Sequence, residues 1–199
     1  MSLIKNKINM INNCLLAIGE TPIPADTDPA SLEEGTDAYT AGIIVDNTMR
    51  EILSQGWWFN KDYNYPFVPD SNNTINVPDN LLKVDFKGTE YEGDIIFREG
   101  LFYSLSNQSF IFTKPVYGNA IWLVDFGDLP DSAYNYISLR ASKRFQTYVL
   151  GSSELYQFNE RDEQEAYMML YRDNVRFKKH TLVDTRVVSR SSNPTPLGN

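Results

Sequence analysis

Ser54-Gln55-Gly56-Trp57-Trp58-Phe59-Asn60 is the stretch on which the fold turns. On its N-terminal side Ala38, Ala41, Val45, Met49 and Ile52 recur at steps of three, four, four and three, which is one face of a helix. That helix is predicted to start near Thr36 or Asp37 and to end before Gly56, with Gly42 weakening its middle a little. The aromatic run Trp57, Trp58, Phe59 then anchors the helix end into the next layer, although plain core packing is an equal use for it. On the C-terminal side, from Tyr63 to about Gly127, the texture becomes short strands and turns. Expected strands are 63–68, 74–77, 82–86, 94–98, 101–105, 109–113 and 120–126. Glu99-Gly100 is a tight hairpin turn, because glycine tolerates the positive φ such turns require. The connections are too short for crossover helices, so the strands are expected to meander antiparallel.

Further out, Ile4, Ile8, Ile11, Leu15 and Ile18 mark a first helix from about Leu3 to Ile18, stopped by Gly19. Pro22, Pro24 and Pro29 make 20–35 an extended, solvated, acidic linker. After Pro130, Ala133, Ile137, Ala141, Phe145 and Tyr148 line a helix over 131–150, and Gly151 ends it. Ser152 or Ser153 caps a last helix running to about Lys178, with Leu155, Phe158, Ala166, Met169 and Leu170 on its face. The polar patch 159–165 faces solvent or pairs with basic residues elsewhere. From Thr181 the apolar pairs Leu182-Val183 and Val187-Val188 give way to Ser, Asn, Pro and Gly, a tail that needs a partner to become ordered. The fold class expected is α+β. The N- and C-terminal helix pairs form an antiparallel helical bundle, a small antiparallel β-lobe is inserted between them, and an extended C-terminal arm follows. The boundaries fall at 1–60, 61–128, 129–178 and 179–199.

The 199 residues carry a net charge of −8. A protein that grips DNA through phosphates needs a positive surface, so an ordinary nucleic-acid binder is disfavoured. The distribution is uneven: 1–171 holds twelve Lys and Arg against 24 Asp and Glu, whereas 172–199 holds six against two. An acidic body with a basic end suggests that the end docks on an acidic surface, such as a neighbouring copy. The interface residues this singles out are Arg172, Arg176, Lys178 and Lys179, although cations also suit a helix C-terminus by themselves. Cys14 is the only cysteine, within an apolar helical pattern, and is expected to be a small core residue rather than half of a disulfide. The start of the chain lacks a signal-peptide apolar region and no run approaches 18 apolar residues, so cytoplasmic synthesis and no membrane partner are expected.

No catalytic, cofactor-binding or metal-binding residue is expected. His180 is the only histidine, so neither a Ser-His-Asp triad nor a zinc spacing suggests itself. No GxGxxG, GxxxxGK[ST], HExxH or GxSxG motif occurs. The loop Asp70-Ser71-Asn72-Asn73-Thr74 has calcium-like oxygens but not the EF-hand spacing. One enzymatic alternative is a carbohydrate-active protein, in which Asp125 with Asp128, or Glu90 with Glu92 and Asp94, serve as paired carboxylates. A small soluble interaction module is another alternative.

The first helix ends in Leu15-Leu16-Ala17-Ile18-Gly19-Glu20-Thr21-Pro22-Ile23, and the second in the 54–60 stretch. With Leu139-Arg140-Ala141-Ser142-Lys143-Arg144-Phe145 and Gly151-Ser152-Ser153-Glu154, these resemble the tail tubular protein A family of short-tailed bacteriophages, the podoviruses. The resemblance covers about half the chain, including both helix pairs. It implies a non-enzymatic virion protein, a head-to-tail adaptor (connector) subunit of a twelve-fold ring, a homo-dodecamer. One ring face docks under the portal protein, and the other receives the tail nozzle or a second tail ring protein. DNA leaves through the enclosed channel without specific binding, and an acidic lumen lets it slide.

Overall fold

Asn6 opens the first helix. In extended conformation (φ −144°), its side chain accepts the Asn9 N–H at 2.8 Å, and α1 runs Lys7–Ala17. The start lies later than the expected Leu3 because this cap satisfies a first-turn donor. Gly19 (φ +83°) ends it as expected, with the Glu20 N–H reaching back to Leu15 O at 3.0 Å. The computed structural model describes residues 5–151 and 161–178; the expected arm over 179–199, Lys179 and His180, Ser152 and Ser153, and Leu155 and Phe158 lie outside them.

Two compact units form. One is Asp46–Leu129; the other combines Lys5–Val45 with the described residues from Pro130 onward. The helix α2 (Asp37–Leu53) passes from one to the other, and Thr36 Oγ1 accepts the Tyr39 N–H at its start. Ala41, Val45, Met49 and Ile52 are buried along it, with Ala38 half-buried at its first turn.

In the helical unit α1 buries two adjacent rows, Ile8, Ile11 and Leu15 with Met10 and Cys14. Burial pushes the Cys14 thiol up to about 11. Beside it lies α3 (Asp131–Leu150), which begins and ends where the periodicity places it. Tyr134 Oη donates to Asn6 O, Asn13 Nδ2 to Ser138 Oγ, and Gln146 Nε2 to Ala17 O, at 3.1, 2.9 and 2.8 Å. Both residue numbers rise together, so α1 and α3 run parallel, in contrast to a wholly antiparallel bundle. This pairing also corrects the reading of Tyr148. Because α1 ends opposite Gln146, the last turn of α3 projects beyond it, and Tyr148 is 73% exposed.

A helix covers 161–178. Glu163 meets Arg140 and Lys143 at 2.8 and 2.9 Å, and Tyr167 packs on Tyr136 at 5.4 Å. It therefore runs antiparallel to α3. Ala166, Leu170 and Asn174 form its buried row, at steps of four. Met169, expected inside, is 58% exposed, because it falls outside the 166/170/174 row that this helix buries. The Pro-rich linker is mostly exposed, but Asn12 brackets it, donating to Ile23 O and accepting the Ile23 N–H.

The β unit departs most from expectation. Its strands are β1 (Lys61–Phe67), β2 (Leu81–Asp85), β3 (Ile95–Arg98), β4 (Leu101–Ser104) and β5 (Val116–Trp122). Two antiparallel sheets result, one ordered β1-β5-β2 and the other the β3-β4 hairpin. The strands do not meander, because β5 inserts between β1 and β2. Segments 74–77 and 109–113 contribute only isolated bridges at Asn76 and Ser109. The last strand ends at Trp122, since Phe126–Asp128 forms a 3-10 turn. It includes Gly118, where a Cβ would lie 2.7 Å from Val84 Cγ2 and 2.9 Å from the Phe86 ring, so close approach requires glycine. Pro66 is tolerated on β1 because that strand is an edge. Glu99 (φ +54°) and Gly100 (φ +73°) make the expected turn. Phe67, Ile75, Phe86, Phe102, Phe112, Val116 and Ala120 are the core both sheets share.

Candidate interaction surfaces

The 54–60 stretch joins the end of α2 to the β-sheet within the β unit, and Asn60 is its centre. Trp57 is buried, its Nε1–H donating to Ile52 O at 2.8 Å. Trp58 and Phe59, both partly buried, meet edge to face at 5.0 Å. Asn60, 2% exposed, spends both side-chain donors and one acceptor. Its Nδ2 donates to Leu53 O at 3.0 Å and to Trp122 O at 2.7 Å, and its Oδ1 accepts the Trp57 N–H at 2.8 Å. One side chain thus ties the last α2 carbonyl to β5. Gly56 (φ +76°) allows the turn, and a Cβ there would meet Ile121 Cδ1 at 2.8 Å. The aromatics stand out in the sequence, whereas Asn60 does not. Its only visible signal was a polar residue closing an apolar run.

Arg172, Arg176 and Lys178 are all exposed on the helix over 161–178, and Lys179 lies outside the described residues. Met168, Met169 and Tyr171 are exposed on the same helix at 46%, 58% and 47%. Apolar and cationic side chains are thus both open to solvent along this helix among the described residues.

The β unit also carries an open cleft of about 600 Å³. Phe59, Tyr65, Pro78 and Trp122 form much of its wall, and Asp62, Asp125 and Asp128 contribute carboxylates. Trp122 Nε1–H donates to Asp62 Oδ2 at 2.8 Å, and the Tyr65 and Trp122 rings meet edge to face at 5.0 Å. The carboxylate pair Asp125 and Asp128 is exposed around the 3-10 turn.

Asp94, Glu92 and Asp70, also named from sequence, serve local structure. The Ser106 N–H and the Ser104 hydroxyl hold the Asp94 carboxyl below the usual carboxylate range. That direction is opposite to what a general acid needs. Glu92 Oε2 accepts the Gly88 N–H. Asp70 accepts the Thr74 and Asn72 N–H groups and the Thr74 hydroxyl, so its carboxylate closes its own loop and is likewise held low. Among the described residues no helix is long and apolar enough to cross a membrane.

Comparison with known proteins extends over nearly the whole chain. The family described as "Tail tubular protein" matches residues 8–180. The chain is 27% identical over 188 residues to a protein of Klebsiella phage KP34 called tail tubular protein A, an alignment covering 92% of this chain and 95% of that protein.

Proposed function

The chain belongs to the tail tubular protein family, and from that premise we propose that it is a non-enzymatic virion protein, the subunit of a head-to-tail adaptor ring. The ring joins the portal to the tail of a short-tailed phage and encloses the channel through which DNA leaves. The observation that carries this reading is end-to-end alignment: a match over 95% of a tail tubular protein leaves little of that protein without a counterpart. The helix pairs make one bundle with the β unit inserted, and the terminal arm lies on adjoining subunits. Arg172, Arg176, Lys178 and Lys179 dock on the portal or a neighbouring copy.

Two physical features support it. An exposed strip of Met168, Met169 and Tyr171 beside Arg172 suits burial between subunits. The acidic body, twelve charges negative over 1–171, repels phosphate and lets DNA pass without sticking. Subunits related by a closed rotation, each meeting the next through two different surfaces, form such a ring. The test is to mix the purified chain with the portal ring of the same virion and measure stoichiometric capture by native mass spectrometry. Capture of one chain per portal subunit is expected; absence of capture refutes the adaptor role.

A further inference from the structure

We infer that the cleft walled by Trp122 in the β unit receives the basic terminal segment, residues 179–199, of a second copy of the chain. The inference deepens the adaptor reading and rests on it for the presence of an adjoining copy. The cleft combines an apolar wall (Phe59, Tyr65, Pro78, Trp122) with Asp62, Asp125 and Asp128, and among the described residues no lysine or arginine lines it. Asp62 accepts the Trp122 Nε1–H at 2.8 Å through Oδ2 and keeps its charge, so it stands with Asp125 and Asp128 to meet incoming cations. An occupant should therefore be apolar at its centre and cationic at its flanks. A phosphate-bearing strand is excluded by the charge.

The terminal segment has that pattern. It holds Lys179, Arg186 and Arg190 against Asp184, and Arg186-Val187-Val188-Ser189-Arg190 sets two apolar side chains between two cations. In extended form its 21 residues span up to roughly 70 Å, enough to reach an adjoining subunit. The valines pack on the aromatic wall, and the guanidinium groups pair with the carboxylates or lie over the faces of Tyr65 and Trp122. Because cleft and segment are different surfaces of one chain, each copy engages the next in a single sense around the ring.

The experiment measures fluorescence anisotropy of a labelled peptide of residues 179–199 against the full chain. Saturable binding that weakens with salt is expected. Binding about tenfold weaker is expected for the Asp125→Asn, Asp128→Asn double variant, and for a peptide carrying Arg186→Gln and Arg190→Gln. Asn80→Lys, at an exposed position of the cleft wall, is a second cleft variant expected to weaken binding, and unfolding midpoints confirm that each variant is folded. Absence of saturable binding, or binding indifferent to every cleft substitution, overturns the inference. To assign the segment to another copy, chains carrying a photo-crosslinking residue at 187 are mixed with isotope-labelled chains lacking it. Cross-links from 187 to the cleft of labelled chains are expected; cross-links confined to single chains overturn that assignment. Portal capture without peptide binding refutes this inference alone, whereas peptide binding without capture refutes the adaptor reading alone.

Discussion

Replacing Asn60 by Ala removes three hydrogen bonds at once from the joint between α2 and β5. The lost contacts are Nδ2 to Leu53 O (3.0 Å), Nδ2 to Trp122 O (2.7 Å), and the Trp57 N–H to Oδ1 (2.8 Å). A hydrogen bond contributes about 1 kcal/mol net, and more when its loss strands a buried partner. Asn60 is 2% exposed, so water does not readily replace the amide. Three such bonds give a loss of about 3–5 kcal/mol. For a chain of this size that corresponds to a fall of roughly 6–20 °C in unfolding temperature. Urea unfolding followed by tryptophan fluorescence is the assay, since Trp57 and Trp58 flank the site. Asn60→Asp keeps the shape and the acceptor but exchanges two donors for a buried charge, so at neutral pH it is expected to be at least as damaging. A loss below about 1 kcal/mol for Asn60→Ala refutes the view that this side chain holds the joint.

Three further outcomes follow. Gly118→Ala places a methyl within 2.7 Å of stiff Val84 Cγ2 and 2.9 Å of the Phe86 ring, so a loss of about 1–3 kcal/mol in urea unfolding is expected; unchanged stability refutes the close approach. Glu163→Gln removes the carboxylate shared by Arg140 and Lys143, whose side chains are 29% and 11% exposed against 15% for Glu163. The cost lies between the surface and buried limits, about 1–3 kcal/mol, and appears as faster hydrogen exchange in 161–178; unaltered exchange there counts against the contact. The donors to Asp94 hold its folded pKa below the ordinary value, so its stabilisation is complete above about pH 4 and is lost as pH falls through the lowered value. The stability gap between the native chain and Asp94→Asn is therefore expected to be present at pH 7 and to shrink as pH falls below the ordinary carboxylate value, and a gap independent of pH contradicts this.

What was legible in the sequence was local. The bounds of α3, the stop at Gly19 and the Glu99-Gly100 turn each depend on a few adjacent residues whose backbone preference is the same in any context. The buried row Ala41, Val45, Met49, Ile52 was legible for the same reason: a helix repeats every 3.6 residues and one face must leave water. The basic character of the helix end was equally plain, because charge can be counted along a chain.

Contacts between distant residues were not legible. Met169 and Leu170 are neighbouring apolar residues, and only the tertiary packing decides that Leu170 goes inside. Tyr148 continues the apolar row of α3, but α1 stops short of it. Asn60 has the look of any polar turn residue until Trp122, 62 positions away, supplies its partner.

By itself, the sequence determined where α3 begins and ends, where α1 stops, which row of α2 is apolar, and that a β region interrupts two helical regions, because these follow from short-range sterics and periodicity. The tertiary structure alone decided that β5 lies between β1 and β2, that α1 and α3 run parallel, and that Tyr65, Trp122, Asp62 and Asp125 wall one cleft. Strand pairing and side-chain convergence are set by competition among remote segments for the same hydrogen bonds and the same buried volume, and spacing along the chain carries no measure of that competition.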